Sequence, residues 1–208
     1  MPKTQEMDIF CADIGSVKRD NFGWYVAHAD GSTAEGITME GLGTAVATAI
    51  NLKHRVALGF EAPMFAPLRN EPKDLTSKRH GETNPNWIGG PGAAVLATAL
   101  AQVPWILRDI KEKLTVTAKA TVDWGEFENE KRGLFLWEAF VSGEAKGVNH
   151  VDDARIAVQA FSKALPNPTK HNAIIEPEVL SILGAALLRT NWSTNTQLLS
   201  EPCLVIKA

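Results

Sequence analysis

A chain of 208 residues is long enough for one domain with a substantial core, and its 45% hydrophobic and 22% charged residues are ordinary globular values. With 21 Lys and Arg against 24 Asp and Glu, the net charge is -3, which argues against a surface that is basic all round and leaves only a local groove for nucleic acid. Two cysteines, Cys11 and Cys203, are too few for a zinc cluster and point to a reducing, cytoplasmic setting.

The opening MPKTQEMDIF lacks the apolar core of a signal peptide, and no run approaches the roughly 20 apolar residues of a membrane helix, so no membrane association is expected. Met7 to Ile14 is a compact apolar run and predicts a central strand, turned at Gly15 and Ser16. Phe22 to Ala29 predicts a second strand, with Asp30-Gly31 as a hairpin signal, and a short third strand is expected after Gly36. Gly43 to Leu52 predicts a helix, and Val56 to Glu61 a strand stopped by Pro63. Residues 62–92 show little periodicity and predict a long loop, functional or mobile. Ala93 to Lys113 predicts a helix interrupted at Pro104, Lys119 to Trp124 a strand, and Gly133 to Phe140 another. Val151 to Leu165 is the clearest amphipathic helix, with Ala154, Ala157, Val158, Phe161, Ala164 and Leu165 at spacings of three and four. A helix over Pro177 to Arg189 and a strand over Cys203 to Lys207 complete the expected elements. This order predicts an α/β fold in a single domain of residues 1–208, with a loop-and-helix insertion at about 62–113.

Carboxylates stand where strands end and a helix begins. Asp13 closes the first strand, Glu61 the later one, Glu138 lies late in a third, and Asp152 and Asp153 open the amphipathic helix. In an open α/β sheet such ends meet at one edge. Acids gathered there would repel one another, and a divalent cation, Mg²⁺ or Mn²⁺, relieves that cost. Asp153 lines up with Ala157, Ala160 and Ala164 on the buried stripe, whereas Asp152 shares a wet face with Arg155, Gln159 and Lys163 and is already favoured at a helix start capped by Asn149. Asp153 is therefore the preferred ligand and Asp152 the reserve. His150, one turn before Asp153, is a candidate ligand or general acid. Each of these residues also has a plain structural reading: Asp13 as a turn cap, Glu61 as an ion-pair partner, Glu138 on a half-exposed strand, His150 at a helix start.

In the loop, Arg69, Lys73, Lys78, Arg79 and His80 alternate with Glu71, Asp74 and Glu82, a mixture that suits a solvated loop as well as a phosphate clamp. Arg69, Lys78, Arg79 and, at the first turn, Ser16 are the candidate substrate contacts. Trp87 either stacks a base or packs the loop onto the domain. Apolar Leu180 to Leu188 suits a homodimer contact or an intramolecular one.

"ADIGS", "FGWYVAHAD", "VALGFEAPMFAP" and "HVDDARIAV" together resemble the ribonuclease-H-like superfamily, and within it the DUF429 predicted-nuclease family, with the last stretch similar to the H-x-x-D-A helix start of RuvC-type Holliday-junction resolvases. The resemblance covers most of residues 7–165 in order. It implies a ribonuclease-H-like mixed sheet of about five strands flanked by helices, Asp13, Glu61 and Asp153 as metal-site acids, and phosphodiester hydrolysis with Mg²⁺ or Mn²⁺. Two features depart from it: Glu61-Ala62-Pro63 stands where DUF429-like chains often carry D-x-P, and the chain is acidic where the resolvases are basic. The expectation is a metal-dependent nuclease or phosphodiesterase in which His150 or Glu138 orients water. The alternatives are a non-catalytic binding module on the same fold, and an ATP-handling protein of the actin and sugar-kinase type, which normally needs two such domains.

Overall fold

The computed structural model describes residues 7–82 and 86–208; the start of the MPKTQEMDIF stretch, and Asn84 and Pro85 of the segment before Trp87, lie outside them. The chain opens with β1 (Met7–Asp13), β2 (Gly23–Ala27) and β3 (Thr33–Gly36), followed by α1 (Met39–Asn51) and β4 (Arg55–Glu61). After β5 (Phe65–Pro67) and the long loop come α2 (Gly90–Glu112), β6 (Ala120–Thr121), α3 (Trp124–Asn129) and β7 (Gly133–Phe140). The chain closes with α4 (His150–Ala164), β8 (Val179–Ser181), α5 (Ile182–Arg189) and β9 (Val205–Lys207). A seven-stranded mixed sheet has the order β3-β2-β1-β4-β7-β6, with β9 pairing the end of β7, while β5 and β8 form a separate antiparallel pair. β1, β4, β7, β6 and β9 run parallel, and only β2 opposes its neighbours β1 and β3.

The central strands are apolar on both faces because helices cover both. On one face Phe10, Leu58, Phe60 and Leu136 share a core with Val46 and Ile50 of α1, Val103 and Leu107 of α2, and Leu183 and Leu187 of α5. On the other, Ile9, Cys11, Ala57, Phe135 and Trp137 pack beneath Ala154, Val158 and Phe161 of α4. The Trp137 and Phe161 rings lie 4.6 Å apart. Full burial of an aromatic or large aliphatic side chain contributes about 1.5–3 kcal/mol, so these two layers hold the sheet between them. Ile182, Leu183, Ala186 and Leu187 of the Leu180–Leu188 run are buried in the chain's own core.

Several boundaries differ from the sequence expectation, each for a local reason. The third strand ends at Gly36 instead of following it, because Thr38 caps α1 by accepting a hydrogen bond from Gly41 N at 3.1 Å. The strand expected over Lys119 to Trp124 shrinks to two residues: Asp123 accepts from Glu126 N at 2.6 Å and starts α3. Asp-x-x-Glu at 123–126 is a helix-start pattern visible in the sequence. The helix expected from Pro177 begins only at Ile182, where Ser181 caps it, and Val179–Ser181 pairs with β5 instead. Pro104 does not interrupt α2, which runs unbroken for 23 residues. By length and composition α2 could cross a membrane, contrary to the expectation that no run is long enough. Its Ala99, Val103, Ile106, Leu107 and Ile110 nevertheless lie in the core.

Candidate active site

Asp13 and Glu61 are register partners on the parallel strands β1 and β4, so their side chains leave the sheet on the same face. That face is the one beneath α4: it continues the row Met7, Ile9, Cys11 along β1. Asp153 stands in the first turn of α4 and points down onto the same edge, 5% exposed against 2% for Asp13. Three elements far apart in sequence thus deliver three carboxyl groups to one place. The start of α4 comes close because β2 carries Gly23 opposite Asp13: a Cβ there would stand 2.5 Å from Val151 N.

The charges in this cluster are balanced internally. Burial, with Asp13 beside it and hydrogen-bonded to it, pushes the Glu61 carboxyl well above its ordinary pKa, against the pull of Lys146. His150 Nδ1 donates to Asp13 Oδ2 at 2.5 Å, and this bond raises the imidazole pKa against partial burial. Asp153 Oδ1 accepts from Gly147 N at 2.6 Å, and its Oδ2 lies 3.3 Å from Lys146 Nζ. Burial lowers the Lys146 pKa, but the charges of Glu61, Asp153 and Asp13 outweigh it, so the ammonium is held protonated. Lys146 belongs to the site although no periodicity or motif marked it. Its place in GEAKGVNH, at the turn before the Asn149 cap, is visible only in three dimensions.

The donor set suits a hard divalent cation: three carboxyl groups, one of them with its pKa raised by burial and by Asp13 beside it. Among the described residues no three His, Cys, Asp or Glu side chains are already arranged as a metal cage. Instead, the basic side chains of Lys146 and His150 lie against the acids.

The other acids are placed elsewhere. Glu138 is register partner of Phe60, not of Glu61, and therefore points to the opposite face. There Arg79 takes both its oxygens, at 2.8 and 2.6 Å, and Met64 N donates to it at 2.8 Å. Glu138 is a buried ion-pair partner, which corrects its assignment as a water-orienting or catalytic group. Asp152 is half-buried and pairs with Arg155 at 2.6 Å, outside the cluster, so its reserve role as a metal ligand is also corrected.

Two of the loop's basic residues are likewise structural rather than substrate-facing. Arg79, 1% exposed, also pairs with Glu82 at 2.9 Å and lies over the Phe65 ring. Arg69 forks onto Glu176 at 2.6 and 2.8 Å. Trp87 is buried and donates its indole N–H to Ser77 O at 2.9 Å, which decides between stacking and packing in favour of packing. Ser16 and Lys78 remain exposed.

A cleft of about 100 Å³ opens beside Glu61 and Lys146. Ala62, Pro63, Val95, Phe140 and Val141 give it apolar walls, and Asn86 and Trp87 of the loop close one side. At the other end of β1, buried Asp8 accepts from Ala29 N at 2.9 Å and meets His28 and His54 at 3.1 and 3.0 Å. Burial opposes ionisation there, but these hydrogen bonds, that of His54 foremost, hold the Asp8 carboxyl below its usual range.

The fold and site define an α/β protein with an acid cluster at the carboxyl edge of its parallel strands. Comparison with protein-family models, curated proteins and solved structures finds no match.

Proposed function

We propose that the chain is a divalent-metal-dependent nuclease or phosphodiesterase of the ribonuclease-H-like kind, with Mg²⁺ or Mn²⁺ held by Asp13, Glu61 and Asp153. The convergence of these three carboxyl groups on one sheet edge, with Asp13 and Glu61 close enough to share a proton, carries this reading. The ion would polarise a phosphoryl oxygen and make a bound water more acidic. His150 keeps its proton to a higher pH than an ordinary imidazole and is placed at Asp13 to hand that proton to a leaving oxygen. The cleft beside Glu61 receives the substrate group next to the scissile bond. With Arg69 and Arg79 engaged in ion pairs, a nucleic-acid partner would meet Ser16 and Lys78 in a local groove. Buried free thiols at Cys11 and Cys203 support a reducing, cytoplasmic setting.

Internal neutralisation by Lys146 and His150 favours a second reading, a non-catalytic module on the same scaffold. Thermal melts with Mn²⁺ or Mg²⁺ and hydrolysis of a chromogenic phosphodiester separate the two. The nuclease reading requires a metal-induced rise in Tm and a measurable rate, both lost in Asp13→Asn. Neither effect in the unaltered chain would leave the binding module.

A further inference from the structure

Lys146 reaches the acid cluster from a turn with little freedom. The chain leaves β7 through a 3-10 turn at Gly143–Ala145, with Gly143 at φ +63°, and enters α4 through Gly147. Gly147 N is fixed on Asp153 Oδ1 at 2.6 Å, and a Cβ at Gly147 would stand 2.4 Å from the Asp152 side chain. The Lys146 stem is thereby directed into the cleft wall beside Glu61, while half of its side chain stays open to solvent. Its ammonium is 3.3 Å from Asp153 Oδ2 and feels Glu61 of β4 and Asp13 of β1 as well. From α4, His150 is the only other basic side chain that the described contacts place on these acids. An ammonium and a divalent cation therefore seek the same electrostatic well, and Coulomb repulsion at such separations keeps both from filling it.

We propose that Lys146 is the site's own counter-ion, which occupies the acid cluster in the metal-free protein and swings out along its half-exposed stem when a divalent cation binds. Lys146 then sets metal affinity and guards the cluster against adventitious binding. The inference rests on the proposed metal-dependent function and concerns its regulation.

The test is calorimetric titration of the full-length chain with Mn²⁺ alone, for the unaltered protein, Lys146→Met and Lys146→Arg, with a metal-free melt confirming that each is folded. Lys146→Gln serves if the methionine variant does not fold. The expected result is Mn²⁺ binding about tenfold or more tighter in Lys146→Met, near-unaltered binding in Lys146→Arg, and a metal-free Tm lowered in Lys146→Met that Mn²⁺ restores. Unchanged or weaker binding by Lys146→Met, with the unaltered protein binding normally, overturns the counter-ion role and leaves the metal-dependent reading standing. Absence of binding in every form up to millimolar Mn²⁺ overturns both.

Discussion

Asp13 and Glu61 face each other across neighbouring parallel strands, and burial beside Asp13 raises the Glu61 carboxyl well above its ordinary pKa. A buried carboxyl beside another acid ionises only at a cost. For an acid whose folded pKa is raised, the stabilising contribution is fully present below the unfolded value near 4.5 and is lost as pH rises through the folded pKa. Glu61→Gln cannot ionise. Without metal it should therefore melt progressively higher than the unaltered chain as pH increases above that value, measured as the difference in Tm across a pH series. With Mn²⁺ the order should reverse at high pH, since the amide no longer offers a carboxylate.

The two adjacent aspartates of α4 should behave differently. Asp153→Asn should abolish the Mn²⁺-induced rise in Tm. Asp152→Asn should preserve it and leave stability nearly unchanged, since only the surface ion pair with Arg155 is lost. A parallel metal titration of the two variants, with chemical denaturation for the second, checks this.

Glu138→Ala leaves the Arg79 guanidinium buried with only Glu82 as its acidic partner. Breaking a buried pair from one side costs about 3–5 kcal/mol, so the variant should unfold at markedly lower denaturant. Arg79→Met with Glu138→Met should recover part of that loss, because no orphaned charge between these two positions remains. If Glu138→Ala changed catalysis but not stability, its assignment as a structural partner would be wrong.

Arg69 and the His80 backbone hold the Glu176 carboxyl down at about 2, although burial pulls the other way. The sign is opposite to that of Glu61: the stabilisation is present above the unfolded value of about 4.5 and disappears as pH falls through about 2. Its size is on the order of 3 kcal/mol. Equilibrium unfolding between pH 5 and 2 (assay limits of roughly the carboxylate titration range) should therefore show a steeper loss in the unaltered chain than in Glu176→Gln.

Much of the scaffold was legible because apolar runs ended on turn residues. The runs over Met7–Ile14 and Gly133–Phe140 match β1 and β7 nearly residue for residue. The convergence of Asp13, Glu61 and Asp153 followed from strand ends and the buried stripe of α4. The side on which Glu138 emerges could not be read, because GLFLWEAF is apolar on both faces and carries no alternation to mark parity. Only the pairing of Phe60 with Glu138 decides it. Arg69 looked like a solvated loop residue because its partner, Glu176, lies 107 positions along the chain. Lys146 carried no local signal, since its importance comes from three acids on other elements.

The long segment after β4 is fastened at two points, where Arg79 grips β7 through Glu138 and Arg69 grips the C-terminal region through Glu176. To swing as a lid it would have to strip two guanidinium groups of their carboxylates. Arg69 and Arg79 are thus held fast, and under the proposed function selection would come from a shape already in place rather than from closure.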